Sequence, residues 1–228
     1  MKEKIKKPSV FLHLTEIFRA VYEWIKGALF LNTVSVQNIG RGQVVLVIPG
    51  LISTDALTVI LRKYLQKLGF KVFGWEMGIN LGRLESVHEL VQKVEKMAEL
   101  HQQKIIVVGW SMGGIFAREV AKGTPNTVKK VITIGSPFAN VEAPNWAKSI
   151  FDLVNKGIEI DSAVIAQIPS PAPVPTVALY SKRDGIVPWQ ACMEIVEDDT
   201  HQNIEIGGSH LGMGANPNTI QVVAANLI

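Results

Sequence analysis

The chain has 228 residues, of which 47% are hydrophobic, and this length and composition suit one α/β domain with a sizeable core. Its single cysteine, Cys192, excludes an internal disulfide, and we expect it to be a small buried side chain. The net charge of +3 lies entirely in residues 1–7, so the balanced remainder argues against an extended basic surface for nucleic acid.

Residues 1–7, the basic tip, precede a stretch, Phe11–Leu31, that is predicted to form an amphipathic helix. Glu16, Arg19, Glu23 and Lys26 interrupt what would otherwise resemble a signal peptide, and no clear cleavage site follows. No run is apolar enough for long enough to span a bilayer, so we expect a cytoplasmic protein. One helix face collects the apolar residues Leu14, Ile17, Phe18, Val21, Trp24, Ile25 and Ala28.

Two interpretations of this apolar face are open. The favoured one is that the face packs on the domain, or on a partner subunit in a homo-oligomer. The alternative is a peripheral membrane contact through residues 1–42, with lysines facing anionic headgroups and with Phe11, Trp24 and Phe30 inserted.

From residue 43 onward, apolar runs alternate with helical patterns. The predicted strands are Val44–Ile48, Lys71–Trp75, Ile105–Gly109, Val131–Ile134, Thr176–Tyr180 and Asn203–Ile206, with a further edge strand at Val34–Gln37. The predicted helices are Asp55–Leu68, Leu84–Gln102, Gly114–Lys122 and Asn218–Ile228. This alternation predicts an α/β fold with a mostly parallel sheet of about six strands and helices on both faces.

The segment Phe138–Pro173 breaks the alternation between two predicted strands. It holds two short helix patterns, one from Trp146 to Val154 and one from Ile160 to Ile168, and it ends in a proline-rich connector. Inter-element segments of this length are often lids or binding loops. A small helical lid insertion over residues 138–173 and an ordinary extra helical layer both fit the pattern.

The most informative motif is Gly109–Gly114, which has the form G-x-S-x-G between a β-branched run and a helical pattern. In that context the central serine, Ser111, lies on a tight, strained turn with its hydroxyl exposed. Gly109 and Gly113 leave room where a Cβ would collide with the neighbouring elements. Ser111 is therefore a candidate nucleophile, provided that a base and an acid are supplied from elsewhere.

The base and the acid are sought at strand ends, because ligands of open α/β sheets lie at the carboxyl ends of the strands. Of the five histidines only His210 follows a predicted strand; the others are His13, His88, His101 and His201. Asp184 follows the strand before it, beside Gly185, and is the candidate acid. Asp161, inside the insertion, is the weaker alternative. The chain order Ser, Asp, His is the order of a nucleophile-elbow triad.

An oxyanion hole needs two N–H donors. One is expected from Met112, the residue after the nucleophile, and the other from Leu51 in the loop that follows the first central strand. Trp110 and Trp189 lie near the predicted site and are candidate contacts to a hydrophobic acyl chain, although both also suit a core.

These motifs resemble those of the α/β-hydrolase superfamily, and within it the lipase and esterase branch, over about residues 43–228. The resemblance rests on four segments: Ile48–Gly50, Gly109–Gly114, Asp184–Pro188 and Gly208–His210. It implies Ser111 as nucleophile, His210 as base and Asp184 as orienting acid, with a lid where the insertion lies. Many lipases have His-Gly in the first oxyanion loop, whereas this chain has Pro49-Gly50.

The predicted function is hydrolysis of carboxylic esters with lipid-like or other hydrophobic acyl groups, through an acyl-enzyme on Ser111. The substrate is then a small molecule or a lipid ester, and the mechanism needs no metal or organic cofactor. A thioesterase or an acyltransferase would use the same three residues. A catalytically silent hydrolase fold that binds a ligand or a protein partner is a further alternative.

Overall fold

The computed structural model of the chain describes residues 5–158 and 161–228. Residues 1–4, which carry part of the predicted basic tip, lie outside the described residues. Ile160, the predicted start of the second helix of the insertion, lies outside them as well.

The described residues form one sheet of six parallel strands in the order β2-β1-β3-β4-β5-β6. The strands are β1 (Val44–Ile48), β2 (Lys71–Phe73), β3 (Ile105–Trp110), β4 (Val128–Ile134), β5 (Thr176–Tyr180) and β6 (His201–Glu205). The central strands are buried on both faces, as their continuous apolar runs predicted. The predicted α/β fold with about six strands is confirmed.

Helices cover both faces of this sheet. In the described residues they are α1 (Val10–Leu14), α2 (Glu16–Thr33), α3 (Val59–Lys67), α4 (Glu85–His101), α5 (Met112–Gly123), α6 (Lys148–Val154), α7 (Ser162–Gln167) and α8 (Pro217–Ala225). Helices α2, α3 and α8 pack together over one face, while α4 and α5 cover the other. Alternate side chains of the central strands point into these two apolar layers, so the sheet is the centre of the core.

The predicted edge strand at Val34–Gln37 is wrong. The N–H of Gln37 donates to the carbonyl of Lys67 (2.7 Å), and Lys67 Nζ donates to the carbonyl of Val34 (2.8 Å). These bonds tie the segment to the C-terminal end of α3, and its backbone is not paired with any of the six described strands.

The insertion, residues 138–173, joins β4 to β5 and carries α6 and α7. Its base is anchored by the fully buried side chain of Arg118 on α5, which pairs with Glu194, donates to the carbonyl of Ser170 and stacks on the ring of Phe138. Every residue of α6 and α7 is at least partly exposed. The insertion is thus fixed at its ends and only partly buried between them.

Candidate active site

Ser111 lies in a one-residue turn between the end of β3 and the start of α5. Its backbone has φ 53° and ψ −122°, a conformation that costs a non-glycine residue strain. A Cβ on Gly109 would overlap the carbonyl of Gly113, and a Cβ on Gly113 would overlap that of Ile48. The two glycines therefore let strand and helix approach closely enough to form the turn, as the motif predicted.

The turn brings Ser111 to two side chains from other loops. His210 Nε2 lies 2.9 Å from Ser111 Oγ, and His210 Nδ1 lies 2.6 Å from Asp184 Oδ2. Asp184 Oδ1 accepts from the N–H groups of Ile186 (2.7 Å) and Val187 (2.9 Å), which fix the carboxylate. The three strand-end candidates thus form one hydrogen-bonded chain, and both Asp184 and His210 are buried.

The alternative acid and the other histidines lie elsewhere. Asp161 is exposed and accepts from the N–H of Ala163, which makes it the N-cap of α7. His13 stacks on Trp146 of the insertion (4.2 Å between ring centroids). His88 and His101 lie on α4, where they contact Gln92 and Lys71. His201 begins β6, and its Nε2 contacts the carbonyl of Ala172.

The pKa of His210 lies above its ordinary value. Burial of the imidazole ring lowers this pKa, but the negative charge and hydrogen bond of Asp184, together with the charge of Glu16, raise it by more than burial lowers it. Cys192 lies nearby and is buried, as expected; burial and the charge of Asp184 raise the pKa of its thiol. The charge of Asp184 thus raises the pKa of both groups.

Two buried carboxylates of α2 support the loops that carry Asp184 and His210. Glu16 accepts from the N–H groups of Gly185 (3.1 Å) and Leu211 (2.9 Å), the residues that directly follow these two side chains. Glu23 accepts from Ser209, through its N–H (3.0 Å) and its hydroxyl (2.8 Å). Burial raises the pKa of Glu16, while the bond from Leu211 and the charge of His210 oppose the shift.

Sequence reasoning missed both of these residues. Glu16 and Glu23 share one face of α2 with Ala20 and Gly27, at helical spacings of four, three and four. A Cβ on Gly27 would overlap the carbonyl of Ala215, so this face approaches the domain closely. The signal available in the sequence was a helical stripe of acidic and small residues on the side opposite the bulky apolar residues.

Most of the apolar face of this helix does not pack on the domain, contrary to that expectation, whereas its packing on a partner subunit stays a prediction. The side chains of Ile17 and Phe18 are 67% and 78% exposed, whereas Glu16 on the opposite face is 1% exposed. Trp24 and Phe30 pack on the domain, where Trp24 Nε1 donates to the carbonyl of Leu211 (3.3 Å) and Phe30 meets Tyr64. The buried loop N–H groups need acceptors, and carboxylates meet that need where apolar side chains cannot.

A cavity of about 180 Å³ lies beside Ser111. Its walls are mostly apolar, and Ile115 of α5, Leu84 and Val187 contribute to them. The insertion supplies much of the remainder, through Val141, Asn145, Phe151, Ile165 and Ile168. An apolar chain of a small ligand would therefore be contacted by the insertion on one side and by the sheet domain on the other.

Leu51 and Met112, the expected oxyanion donors, both line this cavity together with Ser111. Met112 is the first residue of α5, so its N–H has no partner within the helix. In the other loop, the N–H of Ile52 donates to the carbonyl of Asn80 and that of Ser53 to the carbonyl of Gly50. The next two donors of that loop are thus occupied, and Leu51 stays the candidate.

The candidate substrate contacts Trp110 and Trp189 need correction, because neither belongs to the described lining of the cavity. Trp110 is buried in the core, and its Nε1 donates to the carbonyl of His210 (3.0 Å). Trp189 stacks on Tyr180 with ring centroids 5.6 Å apart. Trp110 therefore supports the loop that carries His210, while Trp189 packs on the end of β5.

Within the described residues, no group of three or more His, Cys, Asp or Glu side chains is arranged to hold a metal ion. The same residues contain no helix with the length and hydropathy needed to cross a bilayer.

Comparison with known proteins gives a family match and structural relatives. The family model described as alpha/beta hydrolase fold matches residues 43–161. No curated protein matches the sequence significantly. Solved structures also resemble the fold at low sequence identity, among them the following three.

The monoacylglycerol lipase of Paleococcus ferrophilus has a TM-score of 0.58 at 14% identity, over 84% of this chain and 96% of that one. Lipase B of Aspergillus fumigatus has a TM-score of 0.58 at 15% identity, over 86% of this chain and 56% of that one. The thioesterase domain from the curacin biosynthetic pathway has a TM-score of 0.50 at 15% identity, over 84% and 92%. At these identities the likeness shows the fold alone.

Proposed function

The chain belongs to the α/β-hydrolase fold family, and from this premise we propose that it is a serine hydrolase that cleaves carboxylic esters with a hydrophobic acyl group. The observation that carries the proposal is the hydrogen-bonded series Ser111, His210, Asp184 on a strained turn beside an apolar cavity. Backbone strain of this kind clusters at active sites, where it is part of the mechanism, and this supports the proposal.

The first chemical step is acylation of Ser111. His210 Nε2 takes the hydroxyl proton as Oγ attacks the ester carbonyl, and a C–O bond forms while the carbonyl electrons move onto oxygen. Asp184 holds the ring tautomer through Nδ1 and stabilises the imidazolium that results. The N–H groups of Leu51 and Met112 bind the oxyanion. The alcohol leaves with the proton that His210 returns to it.

The second step releases the acid. Water attacks the acyl-enzyme, His210 Nε2 takes a proton from that water, and the Ser111 C–O bond breaks as the proton returns to Oγ. The same groups serve in both steps, so no metal or organic cofactor enters the scheme.

The domain organisation is part of the proposal. Residues 43–228 form the hydrolase domain, residues 1–42 form an N-terminal extension that supports the catalytic loops, and residues 138–173 form a lid-like insertion over the acyl site. The apolar walls that the insertion contributes to the cavity support this assignment.

A thioesterase is the second candidate function. It is favoured by the likeness to a thioesterase domain and by the same three side chains, since thioesters react through the same acyl-enzyme. An acyltransferase would differ only in the acceptor that enters after acylation.

The test is a panel of p-nitrophenyl esters of increasing acyl length, with matched acyl-thioesters and an added alcohol. We expect medium acyl chains to exceed acetate in kcat/KM, and Ser111→Ala to abolish turnover of all of them. Preference for thioesters would favour the second candidate, and acyl transfer to the alcohol in preference to water would favour an acyltransferase. Turnover that survives in Ser111→Ala would refute the mechanism.

A further inference from the structure

The outward face of α1 and α2 is a continuous apolar surface that no other described part of the chain covers. We call this surface the outer face of the N-terminal extension. Its large side chains are between 54% and 78% exposed: Val10, Phe11, Leu14, Ile17, Phe18, Val21, Tyr22, Ile25 and Leu29. Contiguous exposure of this kind marks an interaction site far more often than a free surface.

The charges on this face have a single sign. Within described residues 5–42 the only carboxylates are Glu16 and Glu23, and both are buried against the catalytic loops. The charged groups left fully at the surface are cationic: Lys6, Lys7, Lys26 and Arg41. Arg19 is partly exposed and pairs with Glu16 (2.7 Å). The outer face is therefore apolar and cationic.

The orientation of α2 is fixed by its inner face. Rolling the helix to bury Phe18 would pull Glu16 and Glu23 from the loop N–H groups that they bind, and each lost charge-assisted bond would leave a buried donor unsatisfied. Close packing of Gly27 on Ala215 opposes the same movement. The apolar side of the helix is thus directed outward by the bonds on its other side.

We propose that the outer face of the N-terminal extension docks on an anionic lipid surface. A helix with large apolar side chains on its exposed side and lysines at its margin fits the boundary between acyl chains and anionic headgroups. A second copy of this chain fits less well, because a symmetric contact would bring lysines together without any carboxylate on the face to pair with them.

The docked orientation would bring the lipid surface close to the cavity. Trp146 of the insertion stacks on His13 and donates to the carbonyl of Pro8 (3.2 Å), and Lys7 Nζ lies 3.5 Å from the centroid of its ring. The neighbours of Trp146 on both sides, Asn145 and Ala147, line the cavity. Delivery of a lipid-borne ester to Ser111 rests on the proposed function, whereas docking itself does not.

The test is vesicle flotation of the full chain in a Ser111→Ala background, which keeps the lipids intact whatever the enzyme's activity. Vesicles of phosphatidylcholine mixed with phosphatidylglycerol should bind the protein, and vesicles of phosphatidylcholine alone should bind it weakly. Replacing two anchors by Phe18→Ser and Ile25→Ser should weaken binding at least about tenfold. Lys26→Gln should weaken it about fivefold, and added salt should weaken it as well.

The matched control is Leu100→Ser on α4, because Leu100 is 76% exposed and lies on the helix layer of the opposite face of the sheet. Its binding should equal that of the parent, and circular dichroism should show all variants folded. Absence of binding to anionic vesicles, or an equal loss in Leu100→Ser, would overturn the proposal. A lipid-free dimer that sedimentation detects and Phe18→Ser abolishes would assign the face to a second copy and overturn it too.

Discussion

The N-terminal extension and the insertion both border the candidate active site, but they contact it through opposite kinds of chemistry. The extension meets the catalytic loops with two buried carboxylates that accept backbone N–H groups. The insertion meets the cavity with apolar side chains from two helices that stay partly exposed.

Directionality is the physical difference between these contacts. Hydrogen bonds to a carboxylate have narrow distance and angle requirements, so Glu16 and Glu23 fix where the loops of Asp184 and His210 lie. Apolar contacts are non-directional, so Phe151 and Ile165 define a volume rather than a position. We therefore expect the extension to govern the geometry of the reacting groups, and the insertion to govern the size of the acyl group accepted.

The largest expected effect separates the two acids that the sequence left open. Asp184→Asn should lower kcat by about 10⁴, because the imidazole would lose its tautomer and its counter-charge. Asp161→Asn, in the insertion, should leave kcat within about twofold, since that side chain only caps a short, exposed helix. Steady-state kinetics on one ester decides between them, and the reverse ranking would move the role of the acid to Asp161.

The extension should matter for stability in a way that the insertion does not. Glu23→Ala leaves the N–H and hydroxyl of Ser209 without their acceptor, which should cost about 3 kcal/mol in free energy of unfolding. Denaturant melts monitored by circular dichroism measure this cost. Ile150→Ser on α6, which is exposed, serves as the control and should stay within about 0.5 kcal/mol of wild type. Equal stability of Glu23→Ala and wild type would mean that α2 does not hold the loop.

Substrate selection should respond to the insertion. Phe151→Ala removes an apolar wall of the cavity, so kcat/KM for long-chain esters should fall about tenfold while that for acetate changes little. Measurement over a series of acyl lengths gives the ratio. A uniform fall across the series would place Phe151 in the framework of the site rather than at the acyl chain.

The smallest effect is a shift in the pH profile. In the proposed mechanism the neutral imidazole of His210 is the base, so its raised pKa should place the acidic limb of kcat/KM above the ordinary value of about 6.5. Burial lowers this pKa, and Asp184, in the loop after β5, and Glu16 on α2 raise it. Glu16→Gln removes a negative charge that favours the imidazolium, so the acidic limb should move to lower pH. An unmoved limb with a lower kcat would limit Glu16 to a structural role.

Much of the domain could be predicted from the sequence, because local patterns determine it. Strands β1 and β5 have the predicted bounds, since continuous apolar runs are characteristic of the buried strands of a parallel sheet. The strand-end rule selected Asp184 and His210 before any distance was known, and the structure brings both to Ser111. Their catalytic roles stay a prediction.

The errors arise where a tertiary contact outweighs a local pattern. Hydropathy assigned the apolar side of α2 to the interior, but the loops of Ser209 and Leu211 expose N–H groups that need Glu23 and Glu16. Trp110 was assigned to the substrate by proximity in sequence, although its indole donates to the carbonyl of His210 within the core. Neither partner is close in the chain, so no window of the sequence contains the interaction.

The central claim is that Ser111 is the nucleophile of the site. Its most direct test is labelling with a fluorophosphonate, which phosphonylates an activated serine hydroxyl, followed by peptide mapping. A single adduct on the peptide that contains Ser111, absent from Ser111→Ala and slowed in Asp184→Asn, is the result that this account predicts. Labelling that persists in folded Ser111→Ala, or a folded wild-type protein that does not react, would contradict it.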